Sequence, residues 1–129
     1  MAEPFDGKSI LIVDDDPDIL TAMEEAFKNT GAVISTAKDG NTAVTMALQQ
    51  NPDLMILDAM LPQRSGFLVL EKLKSKKPRG SKPYIIMITG NTGKRHQVWA
   101  ESLGVEDYIN KPFRMDRLFE SAEKLLAKG

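Results

Sequence analysis

Solid apolar runs alternate along this chain with stretches in which apolar residues recur at three- to four-residue spacing. Ile10-Leu11-Ile12-Val13, Leu54-Met55-Ile56-Leu57 and the run from Tyr84 to Ile88 are almost wholly apolar, as strands are when helices cover both faces of a parallel sheet. Residues 32–37 are β-prone but more polar, with Ser35 and Thr36, which suits an edge strand. Residues 105–110 supply a fifth strand.

Between these runs the period changes. Asp16-Pro17 suits the cap and first position of a helix whose apolar face is Ile19, Leu20, Met23, Ala26 and Phe27, and Gly31 stops it. A second helix is predicted over 41–50, after Gly40, with Val44, Ala47 and Leu48 as its stripe. A third covers 67–74 with Phe67, Leu70 and Leu73. Thr92 and Gly93 open a fourth that runs to about Leu103, ended by Gly104, and a fifth over 115–127 carries Leu118, Phe119, Ala122, Leu125 and Leu126 on one face. Five strands alternating with five helices through right-handed crossovers predict a doubly wound α/β sandwich. Lys74, Lys76, Lys77, Arg79 and Lys82, mixed with Pro78, Gly80 and Pro83, read as a solvated connector at the sheet edge opposite Asp58.

Composition narrows the class without changing that picture. A chain of 129 residues is sized for one domain over residues 1–129, its core expected at about 9–126. The absence of cysteine excludes disulfides and thiolate metal sites. A net charge of −1 offers no general attraction to nucleic acid or membrane, so neither is expected as a direct partner. No apolar run approaches the ~18 residues of a membrane span, and the acidic start Met1-Ala2-Glu3-Pro4 lacks the features of a signal peptide, so a cytoplasmic location is expected.

The chemistry gathers where strands end. Asp14-Asp15-Asp16 follow the first strand, Asp58 ends the third, Thr89 the fourth, and Lys111 follows the fifth. The alternation places these ends on one edge of the sheet, where ligands bind in open parallel sheets. Asp16 reads as a helix cap, whereas Asp14, Asp15, Asp58, Thr89 and Lys111 should converge. Three adjacent carboxylates raise one another's pKa unless a cation joins them, and a hard divalent ion, most simply Mg²⁺, fits such a set. A carboxylate beside Mg²⁺, an ammonium and a hydroxyl is equipped to attack phosphorus and hold the resulting acyl phosphate.

At these residues the chain resembles the receiver domains of two-component response regulators. Asp14-Asp15, Leu57-Asp58-Ala59-Met60-Leu61-Pro62, Thr89-Gly90 and Asp107-Tyr108-Ile109-Asn110-Lys111-Pro112-Phe113 carry the resemblance, in an order and at separations that together are specific. It implies a flavodoxin-like strand order of 2-1-3-4-5. It also implies that Asp58 accepts a phosphoryl group from the phosphohistidine of a sensor histidine kinase or phosphotransfer protein. Asp15, Asp58 and the Met60 carbonyl would bind Mg²⁺, with Asp14 acting mostly through water. Thr89 and Lys111 would hold the phosphoryl group, Thr89 and Tyr108 would form the switch, and Met60 and Asn91 would tune hydrolysis. Such a chain is a signalling switch, an enzyme only toward its own phosphorylation and dephosphorylation.

The switch is expected to draw Thr89 inward and turn Tyr108 from an exposed to a buried rotamer. The surface so remodelled, formed by the fourth helix, fifth strand and last helix with His96, Trp99 and Arg117, is the expected contact for an output protein. His96 otherwise reads as a surface residue, Trp99 as packed on the sheet or left out for a partner, and the methionines, among them Met23, Met46, Met55 and Met87, as core filler. A cis Lys111-Pro112 bond is expected at the turn that aims Lys111. Two rivals share the sheet. A haloacid-dehalogenase-type phosphohydrolase would use Asp14 and Asp16 but leave Asp58 unexplained, and a flavodoxin-like binding module would want hydroxyls and glycines where three acids stand.

Overall fold

The computed structural model describes residues 5–74, 81–90 and 94–127. Strands β1 (Ser9–Val13), β2 (Val33–Ala37), β3 (Leu54–Asp58), β4 (Tyr84–Thr89) and β5 (Asp107–Asn110) alternate with helices α1 (Pro17–Lys28), α2 (Gly40–Gln50), α3 (Gly66–Lys74), α4 (Lys94–Ser102) and α5 (Met115–Ala127). The strands form one sheet in the order β2-β1-β3-β4-β5. All pairs are parallel, from Ser9 opposite Val33 at one side to Thr89 opposite Asn110 at the other. This is the expected doubly wound α/β fold.

Why the central strands are apolar at every position follows from the pleat, which sends successive side chains to opposite faces. Ile10, Ile12, Leu54, Ile56, Ile86 and Ile88 pack under α1 and α5, on Leu20, Met23, Phe27, Leu118 and Ala122. Leu11, Val13, Met55, Leu57, Ile85 and Met87 pack on the opposite side, with Ala43, Ala47, Phe67, Leu70 and Ala100 of α2, α3 and α4.

Several local expectations change. Phe5 is buried in the core ahead of Ser9, its ring 5.7 Å from Phe27 and 6.1 Å from Phe119. In α2 the inward stripe is Gly40, Ala43, Val44 and Ala47, and Leu48 lies one step round the helix, exposed. Met23, Met55 and Met87 are core residues, but Met60 is exposed and Met46 only half-buried.

The amino-terminal edge of the sheet also differs from a solvated connector. Lys74 is buried, and its Nζ donates to Glu106 Oε2 at 2.8 Å and to the Ser81 carbonyl at 3.0 Å. Glu106 Oε1 in turn accepts the Ile85 N–H at 2.7 Å, and Asp53 Oδ2 accepts the Ser9 N–H at 2.9 Å. These carboxylates satisfy strand-start donors that burial would otherwise leave unpaired. Lys76, Lys77 and Arg79 lie outside the described residues.

Candidate functional site

At the other edge the chain turns sharply after β1. The Asp14 N–H donates to the Ala37 carbonyl at 3.1 Å, which carries the chain past β2, and Asp14 Oδ1 accepts the Asp16 N–H at 2.9 Å. Asp16 then caps α1 by accepting the Asp18 N–H at 2.9 Å. The three acids therefore differ: Asp14 is buried, Asp15 exposed, and Asp16 spent on the helix. Asp58, the last residue of β3, is only 5% exposed, and its Oδ1 accepts the Met60 N–H at 3.1 Å.

Lys111 comes from the far strand. Its N–H donates to the Thr89 carbonyl at 2.7 Å, continuing the ladder one residue past β5. The Lys111–Pro112 bond is cis. Lys111 Nζ then lies 3.3 Å from Asp14 Oδ2 and 3.7 Å from Asp58 Oδ2.

One ammonium thus serves two carboxylates, with a third close by. Asp14, Asp15 and Asp58 each offer an oxygen within 4.8 Å of the others. Burial pushes the Asp58 carboxyl up to about 6; Asp14 and Asp15 add to the rise, while the Met60 N–H and Lys111 oppose it. A group so placed is unstable as an anion unless more positive charge arrives. Hard oxygen donors from two strand ends, converging on one point, fit a divalent cation such as Mg²⁺.

Thr89, Tyr108 and Met60 are the remaining predicted residues among those described. Thr89 is buried at the end of β4. Tyr108, on the neighbouring strand, is half-buried, and its hydroxyl is already enclosed rather than exposed as expected. Burial raises the phenol's pKa and Thr89 acts to lower it, although the two hydroxyls do not reach the geometry of a full hydrogen bond. Met60 is 63% exposed over the site. Asn91 lies outside the described residues.

Trp99 and His96 are placed differently from the expectation. Trp99 stacks flat on Phe67 of α3, with centroids 4.4 Å apart, and the half-buried His96 ring lies 5.5 Å from the same ring. Both turn toward α3, while Arg117 bonds Asp107 at the start of β5.

Two glycines that sequence reasoning treated as punctuation are part of the site's frame. A Cβ on Gly66 would collide with the Asp58 carbonyl oxygen and lie 2.7 Å from the Ala59 Cα. Gly40 meets Arg64 as closely. A signal was present: glycine is a poor residue with which to begin a helix interior, and both α2 and α3 begin with one.

Comparison with known proteins agrees with this geometry. The response regulator receiver domain model matches residues 10–123. The probable transcriptional regulatory protein TcrX of Mycobacterium tuberculosis is 33% identical over 120 residues, covering 93% of this chain and 50% of that protein. The chain spans about half the length of the curated relatives it matches. Among solved structures, a CheY-like response regulator receiver domain protein from Methanospirillum hungatei superposes with a TM-score of 0.86 at 29% identity, over 94% of each chain. The receiver domain of a sensor histidine kinase from Pseudomonas aeruginosa, with magnesium coordinated in its active site cleft, gives a TM-score of 0.82 at 26% identity, over 94% of this chain and 98% of that one. The chain belongs to the family of response regulator receiver domains.

Proposed function

We propose that residues 9–126 work as one receiver unit in which Asp58 accepts a phosphoryl group from the phosphohistidine of a sensor kinase or phosphotransfer protein. The observation that carries this is Asp58 itself, a carboxylate buried between two other acids with Lys111 Nζ 3.7 Å away. No structural need explains such a cluster.

Asp15, Asp58 and the Met60 carbonyl would hold Mg²⁺ directly, and Asp14 through water. The ion, when bound, neutralises charge on the phosphoryl oxygens. An Asp58 oxygen attacks phosphorus as the bond to the donor imidazole, protonated on its other nitrogen, breaks, leaving neutral imidazole and an acyl phosphate. Lys111 pairs with one phosphoryl oxygen, and the Thr89 hydroxyl donates to another. The exposed Met60 side chain and Asn91 would set how readily water reaches the product. An apolar hollow of about 450 Å³ between Ile19, Met23, Phe113 and Met115 borders Lys111, so a protein donor approaching Asp58 would cover it.

Phosphorylation adds about −1.5 to −2 charge, which the Thr89 hydroxyl would move to meet, with Tyr108 repacking beside it. The face formed by α4, β5 and α5 would then present a changed surface to an output protein. Net charge gives this chain no attraction of its own to nucleic acid. Among the described residues no helix is long and apolar enough to cross a membrane, which is compatible with the cytoplasmic location proposed here. Acetyl phosphate with Mg²⁺ should add one phosphoryl mass, located on Asp58 by peptide mapping. Sustained turnover of p-nitrophenyl phosphate would instead favour a phosphohydrolase.

A further inference from the structure

The loop after Asp58 is held in a conformation it would not choose alone. The Arg64 N–H donates to the Pro62 carbonyl at 2.7 Å, forming a γ-turn, and Gln63 between them has φ 70°. A residue with a Cβ stays in that region only when its surroundings impose it. Two glycines supply the surroundings. Gly66 donates its N–H to the Ala59 carbonyl at 2.9 Å and packs beneath Asp58. Gly40 donates its N–H to the Pro62 carbonyl at 3.2 Å, and a Cβ there would run into the Arg64 carbonyl oxygen and lie 2.6 Å from the Arg64 Cβ. Helix α2 carries none of the site's side chains, yet its first residue touches both ends of the turn.

We infer that Gly40 is a positioning residue for the cation-binding limb of the site: through Pro62 and Arg64 it clamps the loop over 59–65 and so keeps the Met60 backbone beside Asp58. This rests on the proposed binding of Mg²⁺ by Asp15, Asp58 and Met60. The Met60 N–H already bonds Asp58 Oδ1, so the backbone of this limb is held against Asp58 before any cation arrives. A loop released from the clamp would have to be ordered by the ion, and affinity would fall accordingly.

The test is Mg²⁺ titration by calorimetry, paired with Mg²⁺-dependent acetyl phosphate labelling read by intact mass. Gly40→Ala should bind Mg²⁺ about 10-fold more weakly or worse, while saturating Mg²⁺ still directs label to Asp58. Gln63→Gly removes the strain without touching the clamp. It should unfold at the same temperature or higher, yet lose about threefold in Mg²⁺ affinity because the loop is less pre-organised. If Gly40→Ala fails to fold, Arg64→Gly, which loosens the same contact from its other side, decides in its place by the same loss of Mg²⁺ affinity. A parent protein that neither binds Mg²⁺ nor takes label defeats the proposed function. A parent that does both, with variants that bind Mg²⁺ as tightly, overturns this inference, whatever happens to their thermal midpoints.

Discussion

Both edges of the sheet bury charge, but they handle it in opposite ways. At the amino-terminal edge each half-buried acid has a cation and a backbone donor of its own: Asp53 with Lys82 and the Ser9 N–H, Glu106 with the buried Lys74 and the Ile85 N–H. At the carboxyl-terminal edge Asp14 and Asp58 share Lys111, and Asp15 adds a third carboxylate beside them. The first arrangement is complete without help and fastens strand starts together. The second is short of positive charge and is improved by anything cationic that enters. A folded protein holds such an imbalance only because the balanced edge and the two-sided core stabilise the frame around it.

The largest effect should come from removing the acceptor. Asp58→Ala is expected to abolish acetyl phosphate labelling with the fold intact, because relief of carboxylate repulsion offsets the lost side chain. Undiminished label by intact mass would break the comparison at its functional end. At the other edge, Lys74→Ala should cost up to about 3 kcal/mol of unfolding free energy, since it leaves the half-buried Glu106 without its cation. Mg²⁺ should not restore that loss in urea denaturation. Lys111→Ala, by contrast, should be largely rescued by millimolar Mg²⁺, because its carboxylate partners can take a second cation.

The two edges should also respond oppositely to pH. Asp58 is raised to about 6 in the fold, so the stability it lends belongs to its neutral form. That contribution is complete below the ordinary carboxylate value of about 4 and is lost as pH rises through about 6. Allowing for partial screening by solvent, metal-free protein should lose about 1–2 kcal/mol between pH 5 and pH 8. Asp58→Asn should flatten this limb, and Mg²⁺ should counter it. Asp53 behaves in reverse: burial acts to raise it, but hydrogen bonds from Lys82 and Ser9 hold it below the usual range. Its contribution is present above the ordinary carboxylate value and is lost on acidification, and Asp53→Asn should remove that acid limb. Parallel limbs in the two variants would mean the edges are not electrostatically distinct.

The smallest effect concerns signal rather than stability. Thr89→Ala should still take label on Asp58 but show less beryllofluoride-induced change in amide exchange over 94–103 than the parent. Since Trp99 stacks on Phe67, two residues beyond the loop that follows Asp58, its fluorescence offers a second reading through α3. A full exchange response in Thr89→Ala would shift the route from Thr89 to that loop and α3.

Local pattern settled the elements and their alternation, while the strand order came with the family resemblance. Periods of two and of three to four residues are properties of neighbours in the chain, so every strand and helix was legible, and parallel alternation alone gathered Asp14, Asp15, Asp58, Thr89 and Lys111 at one edge. What the pattern left open was compensation between distant residues. Lys111 reaches Asp14 across 97 positions, and Lys74 reaches Glu106 across 32. Nothing near Lys74 in sequence distinguishes it from its basic neighbours; only the folded edge offers it a carboxylate and removes it from water. The same holds for Gly40, whose need to lack a Cβ arises from Arg64 on another loop, and for Trp99, whose partner is a ring on α3. Hydrophobic periodicity is written locally because burial acts on each element separately. Charge balance and close backbone approach are decided pairwise in space, and so belong to the tertiary structure.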